Sequence, residues 1–103
     1  MTDEPRTELR TPTAGKSGTT RIPTWKFDLL RGHILDVVDE EGPQGALSKE
    51  MTDAIRPRLT EDEAERLGKL GWHVMGVKLE LEVRGEIERV AKASPQRLRR
   101  AGA

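Results

Sequence analysis

Residues 79–90, LELEVRGEIERV, decide the fold of this 103-residue chain. Residues 77–83 just before the glycine alternate between apolar and charged, which is typical of a half-buried strand, and Arg84-Gly85 would then be a tight turn into a second strand. The alternative is a helix that ends at Gly85. Leucine, lysine and glutamate favour helix, and glycine readily takes the left-handed conformation that closes one. Periodicity alone leaves both structures open.

If residues 72–83 are helical, two apolar arcs run along the helix. The first arc is formed by Trp72, Met75, Leu79 and Val83. The second is formed by Val74, Val77 and Leu81. Because a domain of this composition needs only one apolar face, we predict that the second arc is an interface where it is left exposed. The alternative is that the first helix or the following strands cover it.

Three further helices are predicted upstream from capping residues. Thr24 can cap the first, which ends at the stop signal Gly42-Pro43. Ser48 is a good cap for the second. Thr60 and Glu63 have the spacing of a capping box, which predicts a short third helix.

Composition divides the chain into a folded centre and two flanks. Apolar residues cluster between Trp25 and Val90, which predicts a domain over residues 23–100. Residues 1–22 are rich in Thr, Pro, Gly and charge, so we expect a disordered or extended arm there and a frayed C-terminus at 101–103. Residues 15–19, GKSGT, end like a phosphate-binding loop, but Arg10 stands where that motif needs glycine, so they are interpreted as a linker.

Several classes of function are disfavoured by what the sequence lacks. The absence of cysteine removes disulfides and thiolate chemistry. No apolar run could span a bilayer and no secretory leader is evident, so a cytoplasmic protein without membrane contact is expected. His33 and His73 are the only histidines, and no nucleophile–base group is recognisable. We therefore expect no enzyme, cofactor, metal or small-molecule substrate.

One pattern in the chain resembles the third helix and first wing strand of winged helix-turn-helix domains. The pattern reads Trp72-x-Val74-x-x-Val77-Lys78-Leu79-x-Leu81-Glu82-x-x-Gly85-x-Ile87-x-Arg89. Over residues 24–100 the chain is also similar to a family of small bacterial proteins of unknown function. The resemblance implies a mainly α, α+β winged helix-turn-helix fold, with three to four helices and a small C-terminal β-hairpin wing.

The resemblance implies DNA binding, with transcription regulation as the expected role, through the start of the last helix and the wing. The candidate contacts to double-stranded DNA are Lys49, Lys69, His73, Lys78, Lys92, Gln96, Arg97, Arg99 and Arg100. Against this, residues 23–90 carry 10 basic and 15 acidic side chains, and Glu80 and Glu82 lie on the same helix. The alternative is a degenerate winged helix that serves as an interaction module, forming a homodimer or binding another protein through Val74, Val77 and Leu81.

Overall fold

The structure is a computed structural model, and it describes residues 4–11 and 20–102. It contains four α-helices and five short strands in this part of the chain, so the predicted α+β class is confirmed. In chain order they are β1 (Arg6–Leu9), β2 (Thr20–Pro23), α1 (Thr24–Glu41), β3 (Ala46–Leu47), α2 (Met51–Ile55), α3 (Glu61–Leu67), α4 (Leu70–Val83), β4 (Ile87–Arg89) and β5 (Arg97–Arg100). Short 3₁₀ turns at Gly42–Gln44, Ser48–Glu50 and Arg56–Arg58 join several of them.

Residues 79–90 contain the end of a helix, a helix stop and a short strand. Helix α4 continues to Val83, and Gly85 then takes a φ of 75°, in the left-handed region that glycine occupies without strain. The amide of Gly85 donates to the carbonyl of Glu82 at 3.1 Å, and the amide of Glu86 donates to that of Leu81 at 3.0 Å. These two bonds form a Schellman motif, which ends a helix by satisfying its last carbonyls. The hairpin alternative for residues 77–90 is therefore wrong.

Helix starts follow the capping signals only in part. Thr60 and Glu63 form the predicted capping box at the start of α3. Thr24 does not cap α1, because its hydroxyl is hydrogen-bonded to that of Thr7 at 2.8 Å and Pro23 holds the cap position. Ser48 begins a 3₁₀ turn, and α2 starts at Met51.

Strands β3, β4 and β5 form a three-stranded antiparallel sheet in which β5 lies between β3 and β4. Ala46 is opposite Leu98, and Ile87 is opposite Arg100. Ala46 of β3, Ile87 of β4 and Leu98 of β5 are all buried in the core, so each strand of the sheet is attached to the core through an apolar residue. The sheet therefore closes one side of a core built mainly from α1 and α4.

The N-terminal residues differ from the predicted arm. Strands β1 and β2 pair as an antiparallel hairpin, and Leu9 and Ile22 from this hairpin are buried in the core. The prediction of a disordered or extended arm is wrong for residues 6–9 and 20–22, and the folded unit begins before residue 23. Each strand contributes one buried apolar residue, which is too weak a signal to find from sequence; β1 packs on α4 and β2 packs on α1. Residues 15–19, the GKSGT segment, lie outside the described residues.

A buried carboxylate attaches this hairpin to α4. Glu80 is fully buried. It accepts hydrogen bonds from the backbone amide of Arg10 at 2.9 Å, from Nη2 of Arg10 at 2.6 Å and from Nε of Arg84 at 2.9 Å. Burial by itself would raise the pKa of Glu80, but the hydrogen bonds from the two arginines outweigh it, so the pKa is lowered. The hairpin and the end of α4 are thus held by one charge.

We expect glycine-to-alanine substitutions to show how closely the hairpin packs on α4. Gly32→Ala lies within the exposed face of α1 with no atom near the new Cβ, and it should stabilise the protein by about 0.5–1 kcal/mol through helix propensity. Gly76→Ala should gain much less, because its Cβ would lie 2.7 Å from Cδ1 of Leu9. Urea unfolding measures both. A Leu9→Ala background should restore the gain at Gly76, and equal gains for both alanines in the wild type would contradict the packing.

Glu80→Gln should destabilise the protein by about 2 kcal/mol near neutral pH, because the charge that the two arginines hold is lost. The unfolded pKa of a glutamate is about 4.3. Because the folded pKa lies lower, the stabilisation is complete above the unfolded value and is lost as pH falls through the folded one. The unfolding free energies of the wild type and of Glu80→Gln, measured across this pH range, should therefore converge at low pH. Glu40→Gln, in the exposed pair with Arg58, is the control with the smaller effect at neutral pH. A difference for Glu80→Gln that does not change with pH would disprove this account.

Candidate binding surface on α4

The face of α4 that was expected to form an interface is the buried one. Val74, Val77 and Leu81 are buried in the core of the single chain, so the prediction that they form an interface is wrong. Trp72 and Met75, from the other arc, are 52% and 51% exposed. The helical spacing of the sequence predicted two apolar arcs, but it could not show which arc is covered by other elements. The exposed apolar surface of α4 therefore belongs to the first arc.

Two grooves run along the sides of α4 and share Met75 and Leu79. The hairpin-side groove has a volume of about 200 Å³, and its other lining residues are Leu9, Arg10, Thr11, Thr20, Trp72 and Gly76. The wing-side groove has a volume of about 350 Å³, and its other lining residues are Ser48, Lys49, Lys78, Arg89, Pro95 and Gln96. The first is lined mainly by apolar and uncharged groups, whereas the second carries three cationic side chains. The outer face of α4 is thus a ridge between two chemically different grooves.

Most of the predicted DNA contacts already have partners within the protein. Arg99 donates to Glu88 across the sheet at 2.8 Å, and Arg100 donates to Asp39 of α1 at 3.0 Å. Arg97 donates to the carbonyl of Gly45 at 2.9 Å. A phosphate would have to compete with these groups for the arginines of β5.

The two residues predicted on α4 itself are also enclosed. His73 is buried, and its Nδ1 lies 2.8 Å from the carbonyl of Lys69. Lys78 is 6% exposed, and its ammonium donates to the hydroxyl of Ser48 at 2.6 Å. Burial lowers the pKa of Lys78, while the charge of Glu82 acts in the opposite direction. Neither side chain is presented on the outer face where a base edge would be read.

The remaining candidates do not form one surface. Lys49, Lys69 and Lys92 are exposed, and no ion pair to them occurs among residues 4–11 and 20–102. Lys69 precedes α4, whereas Lys92 lies in the turn between β4 and β5. Of all the predicted DNA contacts, Lys49, Lys78 and Gln96 lie together, as lining residues of the wing-side groove.

Three residues of the polar network at that groove, Ser48, Glu82 and Arg89, are not among the candidates predicted from the sequence. Glu82 accepts from Nε of Arg89 at 2.6 Å, and its other oxygen is buried without a partner in the part of the chain that the structure describes. Ser48, predicted to cap a helix, binds the ammonium of Lys78 instead. Glu82 and Arg89 are joined across the helix stop, and Ser48 meets Lys78 from 30 residues away, so no local spacing signals either contact. Glu80 and Glu82, expected to repel phosphate, are held by arginines rather than presented on the outer face.

Two classes of feature are absent from the described part of the chain. Within residues 4–11 and 20–102, no group of three or more His, Asp or Glu side chains is arranged to hold a metal ion. None of the helices described there has the length and apolar character needed to cross a membrane.

Comparison with known proteins identifies a family but no activity. No curated protein and no solved structure matches the chain. A family model described as a family of unknown function, DUF6958, matches residues 6–98, which begin within the N-terminal hairpin and end in β5. The predicted resemblance to a family of unknown function is confirmed, and the chain belongs to this family, DUF6958.

Proposed function

We propose that this domain is a winged helix that acts as a protein-interaction module, and that the outer face of α4 binds a second copy of the chain. The order of elements supports the winged-helix assignment. Helix α1 is followed by the short strand β3, then by helices, and α4 leads into a β4–β5 hairpin whose second strand pairs with β3. In this assignment α4 corresponds to the last helix of a winged helix, and residues 90–96, which join β4 to β5, correspond to the wing.

The observation that carries the proposal is the exposure of Trp72 and Met75 on the outer face of α4. Large apolar side chains that lie together on the surface are favoured contacts in protein interfaces, because burying them removes apolar area from water. A helix that reads DNA presents hydrogen-bonding groups to base edges instead. Here the corresponding positions are occupied by Trp72, Met75 and Leu79.

The arrangement of charge around α4 favours a second copy as the partner. The start of α4 adjoins α3, where Glu61, Asp62 and Glu65 are exposed. At the end of α4, Arg10 and Arg84 have partly exposed side chains. An antiparallel pair of α4 helices related by a two-fold axis would bring the exposed acids of α3 in each copy near the other copy's Arg10 and Arg84, which also bind Glu80. It would also oppose the helix dipoles.

The same axis gives a consistent apolar contact. If it passes between residues 75 and 76, Trp72 lies opposite the partner's Leu79, and the two Met75 side chains meet near the axis. A contact of this kind is isologous, so each surface patch meets its own equivalent. The domain has a small core, and burying this ridge would add apolar contact that the single chain lacks.

Met75→Glu should abolish self-association in sedimentation experiments, because a charge would be buried at the centre of the contact. The expected loss is about 2 kcal/mol or more, which is roughly a thirtyfold increase in the dimer dissociation constant. The variant should keep its fold, since Met75 is half exposed.

Gln44→Glu is the matched control, because it also adds one negative charge but at an exposed position in the turn after α1. It should sediment like the wild type. A wild type that remains monomeric across the concentration series, or a Met75→Glu variant that still associates, would contradict the proposal.

DNA binding is the second candidate function, and the exposure of Lys49, Lys69 and Lys92 favours it. If these side chains bind phosphates, affinity for mixed double-stranded fragments should fall steeply as salt rises, with a slope set by the number of phosphate contacts. Replacing all three lysines by Gln should flatten that slope, and a matching Arg97, Arg99 and Arg100 to Ala variant tests the wing. The absence of binding even at low salt would exclude this function.

A further inference from the structure

The wing-side groove contains a polar cluster that the proposed self-association does not use. Ser48, Lys49, Lys78, Arg89 and Gln96 line it together with the apolar side chains of Met75, Leu79 and Pro95. The cluster lies between the turn before α2, the middle of α4 and the base of the wing. Lys78 is at its buried end, where only 6% of the residue is exposed.

The hydrogen bonds of this cluster leave donors unused. The Lys78 ammonium has three N–H groups, but the hydroxyl of Ser48 is its hydrogen-bond partner among the described residues. The amide of Gln96 is satisfied when its nitrogen donates to Ser48 Oγ at 3.3 Å and its oxygen accepts from Arg89 Nη1 at 3.1 Å. Ser48 Oγ then accepts twice, which leaves its own proton free to donate. A ligand that uses the free N–H groups of Lys78 and the free proton of Ser48 must therefore be an acceptor.

The charges lead to the same class of ligand. Lys49, Lys78 and Arg89 are cationic. The carboxylate of Glu82 acts on two of them: its charge affects Lys78, and it accepts from Arg89 Nε at 2.6 Å. Its other oxygen is buried without a partner among the described residues. Glu82 offsets one of the three cations, so the groove keeps a positive excess. An anion near Lys78 would also offset the cost of burying its ammonium.

We propose that the wing-side groove binds an oxyanion, a carboxylate or a phosphate, carried on a short apolar body. The oxyanion accepts hydrogen bonds from Lys78, Ser48 and Arg89. The apolar body lies along Met75, Leu79 and Pro95. A volume of about 350 Å³ suits a ligand of this size, and the combination of an apolar lining with a few polar groups is usual for small-molecule sites.

The test uses hexanoate and hexyl phosphate as probes of the full chain, with hexanol and inorganic phosphate as partial ligands. Calorimetric titration is performed at a protein concentration where sedimentation shows only the monomer, because the proposed self-association would cover Met75 and Leu79. Both hexyl anions should bind saturably, inorganic phosphate should bind more weakly, and hexanol should not bind. The stronger of the two hexyl anions identifies the head group. Failure of both to bind at millimolar concentration would overturn the proposal.

Two variants locate the site. Lys78→Met keeps the shape of the side chain and should weaken binding at least about tenfold, because a charged hydrogen bond to the ligand is lost. Lys49→Glu reverses an exposed charge at the rim and should also weaken binding. Lys92→Glu, the same change in the wing turn outside the groove, should leave binding unaltered. Wild-type affinity in Lys49→Glu, or in a folded Lys78→Met, would show that the anion binds elsewhere and disprove the assignment.

Discussion

The buried carboxylate of Glu80 is the constraint on which the arrangement of this molecule depends. Arg10 reaches it from the N-terminal hairpin and Arg84 from the end of α4, so a single charge fixes both elements. It also sets the rotation of α4 about its axis. With Glu80 at one edge of the buried arc and Lys78 at the other, Val74 and the residues around it face the core, and the first arc must face outward.

Local signals in the sequence predicted the parts of the fold that depend on neighbouring residues. The helix stop at Gly85 and the capping box of Thr60 and Glu63 each involve residues at most a few positions apart. The N-terminal hairpin could not be found in this way. The hydrogen bonds that hold it to Glu80 of α4 join residues 70 positions apart, so no local spacing signals them. The two apolar arcs of α4 are similar in the sequence, so the sequence does not show which one is buried.

The candidate site was harder to predict, because counting charges does not reveal their partners. The basic C-terminal tail suggested a free cationic wing, yet Arg99 and Arg100 are paired with Glu88 and Asp39. Exposed pairs of this kind add little stability, but they hold the guanidinium groups in place and reduce the local positive field. Conversely, Lys78 was predicted as a surface contact and is instead the buried end of a groove, where an ammonium interacts most strongly with a nearby anion.

The difference between the two sides of α4 bears on the choice of partner. A helix inserted in the major groove has a phosphate backbone on each side, so both flanks of the helix favour cations. Here the wing-side groove carries Lys49, Lys78 and Arg89, whereas the cation that lines the hairpin-side groove among residues 4–11 and 20–102 is Arg10, which is held by Glu80. The apolar ridge between them carries no charge to contact a base edge. A protein surface on the ridge and a small anion in the wing-side groove match this asymmetry better than a duplex does.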